Sequence, residues 1–470
     1  MRQVHMSSNF FSLIGSAGLV LIAWSSLVRG NVIHYGSWWT VDGFSGLMVV
    51  LIACVYMAAV VISIRYIGHE AEERIISFYQ YKLYFTLFPL FAVCMAITVL
   101  TNNSLLLWLA LEGTTLFSTF LVGLYRKKTS IEAAWKYMIL CSTGISLGLV
   151  GILLLSYGVH ESGVHGGEMF LISTLVERAQ FIPENIIKLS FIFLFIGFGT
   201  KVGLVPMHTW LPDAHSKAPS PISAIFSAVL LNIALYAIIR FKYIADASFA
   251  STEWTSHLFM IFGCVSVFLS ALMMLIQTNY KRMLAYSSIE HMGLIVFAIG
   301  LSPLGAVAAV MHMIGHACAK SALFFGAGEI LIRWKTTKIP NIANMSIYAR
   351  YTSVLFILGV LGIIAIPPSA LFMSEYGMFA QAVMLYPKTA LALFVALAVI
   401  AYAMLSLTIT MVFHRDEAKI DEYVKKESWN ITHTVITAEL VILAVLTVWF
   451  TTTNGLSVID NIVSSFLFVK

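Results

Sequence analysis

The sequence predicts an all-α polytopic membrane protein of about 13 transmembrane helices. It also predicts two inverted five-helix repeats, each with a broken helix. Three observations carry this. Of 470 residues, 59% are hydrophobic and only 11% are charged, and the mean hydropathy is +0.89. Soluble domains carry about 25% charged residues, so this chain cannot coat a globule with polar surface. Apolar runs of the roughly 20 residues that a spanning helix needs recur from end to end. A transmembrane β-barrel would instead show alternating segments of about ten residues.

The runs place spans near 10–28, 43–67, 83–101, 103–124, 131–157, 187–208, 219–243, 255–277, 282–302, 304–333, 349–380, 387–414 and 432–452. The first is too long for a signal-peptide core and lacks a small-residue cleavage site, so it reads as a retained helix. Sorting the 28 Lys and Arg by side puts 18 with the N-terminus and 7 on the other side. The positive-inside rule then makes the N-terminus cytoplasmic. The three left over, Lys136, Lys201 and Lys320, fall inside spans.

The chain divides into N-terminal helices (1–82), a first five-helix block (83–243), a second (255–414) and a C-terminal loop and helix (415–470). In each block the fourth span is interrupted. One holds Gly197, Gly199, Gly203 and Pro206 around Lys201; the other holds Pro367 and Pro368 before Glu375. Gly/Pro-broken helices at matching places in two halves point to an inverted repeat. The longest stretches outside the membrane are 68–82, 158–186 and 415–431, the last a mixed-charge segment that reads as solvated or as a short interfacial helix.

Several functions find no support. No GxGxxG, Walker A motif or basic tract appears, so nucleotide hydrolysis and nucleic-acid binding have no sequence basis. The five cysteines (Cys54, Cys94, Cys141, Cys264, Cys318) are scattered without CxxC and read as small buried hydrophobes. No cofactor site is expected in this chain.

A charge in mid-bilayer costs about 2.5–3.5 kcal/mol on insertion scales, so intramembrane ionisable residues are candidates for function. Glu112 lies within a span beside Thr114 and Thr115, and with Lys201 it forms a candidate carboxylate–ammonium pair whose protonation depends on their separation. His312, His316 and Lys320 recur at i, i+4 and i+8, which places them on one helix face. That stripe suits proton conduction; an HxxxH metal pair would lack HExxH or a third nearby ligand. Glu375 follows a helix break that admits water. Glu290 and His291 fit either the membrane or its interface. Lys136 reads as snorkelling to an end. His208, Asp213 and His215 sit in a WLPDAH stretch read as a capping and turn loop.

With these residues assembled, GTKVGLVPMHTWLPDAHSKAPSPISA, LAYSSIEHMG, HACAKSALFFGAG and PPSALFMSE resemble the antiporter-like subunits of respiratory complex I and of Mrp-type cation/proton antiporters. The EHMG and PPSALFMSE forms are most similar to the F-type subunits of hydrogenase-4, in complex I-related membrane-bound nickel–iron hydrogenases and formate hydrogenlyases. The resemblance covers nearly the whole chain. It implies a proton-translocating role in a prokaryotic inner membrane, partnered by other membrane subunits and a hydrophilic redox arm that carries the redox chemistry. Glu112 and Lys201 match the family's glutamate–lysine pair, His316 and Lys320 its second half-channel, and Glu375 its terminal charged residue. His291 and His312 join the path by position, with Glu290 and His208 as further relays.

Two departures stand out. The family's central lysine is replaced by Asn232, an amide that cannot carry a proton charge. The chain also lacks one leading span and a long lateral helix. Alternative readings are an Mrp-type Na⁺/H⁺ antiporter subunit, a protein coupling ion-motive force to inorganic carbon uptake, or a structural anchor whose channel is dead.

Overall fold

The computed structural model describes residues 18, 20, 23–249, 251–415 and 427–467. Among these, eleven helices are long and apolar enough to cross a membrane. They are α1 (Gly43–Glu72), α2 (Phe78–Leu100), α3 (Ser104–Val122), α4 (Lys128–Glu161), α5 (Glu184–Val202), α7 (Ser220–Ser248), α8 (Glu253–Leu275), α9 (Tyr280–Leu301), α10 (Pro303–Trp334), α13 (Pro387–Phe413) and α14 (Ile431–Trp449). Shorter helices include α6 (Trp210–Lys217), α11 (Arg350–Ile363), α12 (Ala370–Leu385) and α15 (Thr453–Ser464). A small hairpin, Ile33–Tyr35 with Trp39–Val41, pairs His34 with Thr40.

Helix starts follow capping chemistry. Asp42 and Ser45 form a capping box on α1, and Ser77 with Gln80 forms one on α2. Asn103, Asn279 and Ser302 cap α3, α9 and α10 through side-chain oxygens. The segments around α7, α9 and α10 pack tightest: the apolar cores of α7 and α9 are wholly buried, whereas α13 and α14 mostly face outward. Small residues permit the closest contacts. A Cβ on Gly197 of α5 would stand 2.5 Å from the Gly148 nitrogen of α4, and one on Gly263 of α8 would stand 2.7 Å from the Gly293 carbonyl oxygen of α9.

Both expected helix breaks are present, but neither interrupted span runs as far as the apolar pattern suggests. The run 187–208 stops being helical at Val202, where Gly203 takes a left-handed φ of 81°. The amides of Gly203 and Leu204 turn back to the Gly199 carbonyl, each at 3.0 Å. Trp210 Nε1 satisfies the Thr200 carbonyl at 2.8 Å, and Ser266 Oγ takes the Val205 amide at 3.1 Å. The run 349–380 divides into α11 and α12. Ser369 Oγ donates to the Gly362 carbonyl at 2.8 Å, and Thr447 Oγ1 donates to that of Pro368 at 2.7 Å. Irregular backbone at membrane depth survives because protein groups satisfy it.

One expectation needs correction, and two others gain detail. WLPDAH is not a loop: Trp210–Lys217 is helical, with Pro212 in the first turn where its missing N–H costs nothing. Lys136 does not snorkel alone; it pairs with Glu132 at 2.7 Å and with Asp213 at 3.4 Å. The stretch 158–186 contains a helix, Ile172–Arg178. The span expected at 10–28 lies largely outside the described residues, as does most of the proposed interfacial segment 415–431.

Candidate functional site

Most of the ionisable groups singled out in the sequence are buried or half-buried inside the bundle. Lys201, on the last turn of α5, is fully buried. Its Nζ donates to Thr115 Oγ1 at 2.6 Å and to Tyr137 Oη at 2.9 Å. Tyr137 Oη also meets Ser118 Oγ at 2.8 Å. Glu112 lies one turn before Thr115 on α3, yet it makes no ion pair with Lys201. Its Oε1 accepts instead from Ser142 Oγ at 2.6 Å, and its buried Oε2 has no hydrogen-bond partner among the described residues. Glu112 and Lys201 therefore each engage hydroxyl groups and not one another.

On the other side of the core, Lys320 of α10 is fully buried and donates to the Leu284 carbonyl of α9 at 2.9 Å. Ser288 Oγ donates to that same carbonyl at 3.0 Å and meets Ser227 Oγ of α7 at 2.7 Å. Ser227 lies in Phe226–Leu230, where α7 widens into a π-helical turn. Such bulges recur at functional sites. Asn232 is buried one turn further on. Its Nδ2 turns back to the Ala228 carbonyl at 2.9 Å, and its Oδ1 has no hydrogen-bond partner among the described residues. The polar line thus passes beside Asn232 through two serines. Its apolar interruption is Phe226, whose ring packs 5.7 Å from that of Tyr137 and 5.9 Å from that of His215.

Beyond Lys320 the histidines form a chain. His291 Nδ1 meets His312 Nε2 at 2.9 Å, His312 Nδ1 meets Ser374 Oγ at 2.9 Å, and Ser374 Oγ donates to the Leu371 carbonyl at 2.9 Å. A carbonyl can only accept. With the serine proton committed there, His312 donates from Nδ1 and accepts at Nε2, and His291 donates from Nδ1. His291 Nε2 is then left to accept. It stands 3.3 Å from Glu290 Oε2, without the alignment of a hydrogen bond. Both Glu290 and His291 are buried, midway along the spanning-length helix α9. The His316 ring lies 5.2 Å from that of His291, and both its nitrogens lack partners among the described residues.

Ligand atoms of His291, His312 and Glu375 lie within 4.8 Å of one another, so the structure supplies a triad that sequence spacing did not show. The two histidines face each other at hydrogen-bonding distance and His312 also engages Ser374, a wiring suited to passing a proton rather than to enclosing an ion. His208 sits in the turn between α5 and α6 with Nδ1 unpartnered among the described residues. His215 is buried and stacked on Phe324 at 4.9 Å, not a surface cap. Asp213 ties together Arg282 and Lys136.

Unpartnered buried atoms recur along this route: His215, Ser287, Asn232 Oδ1 and His316. Buried polar groups are otherwise nearly always paired, by protein or by ordered water. Sequence reading missed Tyr137, Ser142, Ser227, Ser288 and Ser374. It also missed Glu439, a buried carboxylate on α14 whose Oε2 has no partner among the described residues. A lone glutamate in ITAELVILAV was the available signal for the last.

Fold and site together define a multi-pass helical membrane protein that holds ionisable side chains inside its helical bundle, beside two broken helices. The chain belongs to the NADH:quinone oxidoreductase/Mrp antiporter transmembrane family, whose pattern matches residues 101–401. It is 37% identical over 363 residues to the hydrogenase-4 component F homolog of Methylacidiphilum infernorum (isolate V4), covering 77% of this chain and 76% of that protein. It is 29% identical to hydrogenase-4 component B of Escherichia coli (strain K12), over 71% of this chain and 49% of that protein. Its fold matches a subunit of an archaeal membrane-bound sulfane sulfur reductase, a respiratory membrane complex, with TM-score 0.83 and 24% identity over 97% of this chain and 94% of that one. A subunit of the Mrp complex from Dietzia sp. DQ12-45-1b matches with TM-score 0.82 and 18% identity over 99% and 92%. These relatives are subunits of multi-subunit membrane complexes, and this chain is an antiporter-like subunit of that kind.

Proposed function

We propose that the chain translocates protons across a prokaryotic cytoplasmic membrane as a subunit of a complex I-related, hydrogenase-4 or formate hydrogenlyase type assembly. On this reading the N-terminus is cytoplasmic, residues 83–243 and 255–414 are inverted repeats, and partner subunits carry the redox cofactors. The observation that carries it is the line of polar groups from half-buried Glu112 and buried Lys201, past buried Ser227 and Ser288, to buried Lys320, His291 and His312 and half-buried Glu375.

The mechanism is electrostatic. Lys201 rests on two neutral acceptors while Glu112 rests on Ser142. A shift in a neighbouring subunit that brings Glu112 toward Lys201 favours the ammonium; withdrawal favours release of its proton. Moving one charge against 100 mV requires about 2.3 kcal/mol, which a change of under two pKa units supplies at about 1.4 kcal/mol each. Waters at the unpartnered atoms and the Ser227–Ser288 pair would carry the proton to Lys320, and wetting around Phe226 gates the step. The histidine chain then relays it toward Glu375.

The test is proton pumping by the whole complex in sealed vesicles. Lys201→Ala and Glu112→Gln abolish pumping while electron transfer persists. Normal pumping by both variants would make the channel dead and the chain an anchor. Pumping that requires Na⁺ would transfer the assignment to cation exchange.

A further inference from the structure

A cavity of about 550 Å³ opens on the face where α1 and α10 end and α4, α7 and α9 begin. Its wall contains Lys127, Lys217, Lys281, Lys335 and Lys338. Against these five ammonium groups stand only Glu70 and Glu73. The Glu70 carboxylate is occupied, both of its oxygens accepting from Tyr125 Oη at 2.7 and 3.0 Å. None of the five lysines forms an ion pair with a described carboxylate, although Lys136, Lys188 and Lys242 each do. Surface lysines ordinarily disperse; here they are gathered around one concavity, and their mutual repulsion calls for a counter-charge.

The floor is built for a ligand rather than for bulk solvent. Lys281 is 1% exposed, and its Nζ, with three protons to donate, has a single bond of 3.2 Å to the Ala218 carbonyl. Tyr66 Oη and His69 Nδ1 line the same space, buried and without a hydrogen-bond partner among the described residues. Thr336 and Thr337, whose hydroxyl oxygens accept from the Lys338 amide and from Asn279, add neutral donors at the rim. A cluster of lysine point charges with hydroxyl donors is the chemistry that recognises phosphate oxygens. The volume lies within the range of small-molecule sites, about 300–1,000 Å³, so a phosphate leaves room for its substituent.

We propose that this pit binds a phosphate ester, either a soluble phosphorylated metabolite or the headgroup of an anionic phospholipid. The site is distinct from the central polar line, and its occupancy is independent of whether protons move there.

The test is lysine acetylation of the intact complex in phosphatidylcholine nanodiscs, read by peptide mass spectrometry with and without millimolar inorganic pyrophosphate. Protection of Lys217, Lys335 and Lys338, with Lys128 outside the pit still modified, supports a soluble ligand. Protection that appears only when phosphatidic acid enters the bilayer supports the headgroup. Replacing Lys217, Lys335 and Lys338 together by Gln weakens binding at least about tenfold, the loss of one charge-assisted hydrogen bond. Replacing them by Arg retains it. Equal acetylation under every condition, equal protection of Lys128, or undiminished binding by the Gln variant would overturn the proposal.

Discussion

The ammonium of Lys201 stands 2.6 Å from the hydroxyl of Thr115, and Thr115 is on the same face of α3 as Glu112, one turn away. A hydrogen bond to a charged group contributes about 1.5–3 kcal/mol, so Thr115 and Tyr137 set the geometry from which Lys201 must move. Thr115→Val and Tyr137→Phe each lower proton pumping about tenfold. Thr119→Val, whose hydroxyl bonds only back to the Thr115 carbonyl, changes pumping less than about threefold. Vesicle pumping normalised to electron transfer checks all three. Wild-type rates in both of the first two would detach Lys201's hydrogen bonds from transport.

Ser374 fixes the direction in which the histidine chain is protonated, because its proton goes to the Leu371 carbonyl and its lone pair receives His312 Nδ1–H. Ser374→Ala leaves His312 free to adopt either tautomer. Pumping falls about tenfold, the upper scale of one lost neutral hydrogen bond, while Ser374→Thr retains it. Equal pumping by the Ala and Thr variants would show that the tautomer is set elsewhere.

The bundle was legible in the sequence because a bilayer demands long apolar runs, and the breaks because glycines followed by Pro206, and the Pro367–Pro368 pair, disfavour a continuous helix. The charged site residues stood out for the same reason: charge is scarce in hydrocarbon. Their hydroxyl partners did not. Ser118 and Ser288 bond back to carbonyls of their own helices, at 2.5 and 3.0 Å, as serines in apolar helices commonly do. Nothing local distinguishes those that also reach another helix. The second partner of Lys136 was not legible, because Asp213 is 77 residues away. The α6 helix was hidden by Pro212, which marks a turn as readily as a first helical turn.

Glu427 closes the segment before α14 onto the start of α11. Its carboxylate accepts from the Tyr351 and Thr352 amides at 2.7 and 3.0 Å and from His433 Nε2 at 3.0 Å. The Asn430 amide donates to His433 Nδ1 at 3.1 Å, which leaves Nε2 as the protonated nitrogen. Burial alone raises the Glu427 pKa, but the His433 and Thr352 hydrogen bonds outweigh it and lower the value from 4.5 to about 2. The folded state therefore binds fewer protons than the unfolded one. The contribution is fully present above about 4.5 and disappears as pH falls toward about 2. Glu427→Gln costs about 1–3 kcal/mol at neutral pH and removes that acid-sensitive component. Thermal unfolding in detergent across the acid range measures both, and an unchanged acid profile in the variant would exclude the clasp.

Asn232 and Ser227 make opposite predictions for the same helix. If the amide were the missing link, Asn232→Ala would halt transport. The proposed route instead runs through Ser227 and Ser288, which are hydrogen-bonded to each other, to the carbonyl that also holds Lys320. Asn232 meanwhile spends its donor on its own helix, at Ala228. Asn232→Ala therefore lowers pumping less than about threefold, the scale of a lost neutral hydrogen bond. Ser227→Ala combined with Ser288→Ala lowers it at least about tenfold, because a hydroxyl can both accept and donate the migrating proton whereas a methyl group can do neither. Single serine variants separate the two contributions, since water can replace one hydroxyl more readily than a pair. The reverse ranking, with Asn232→Ala inactive and the double serine variant active, would return the link to the amide.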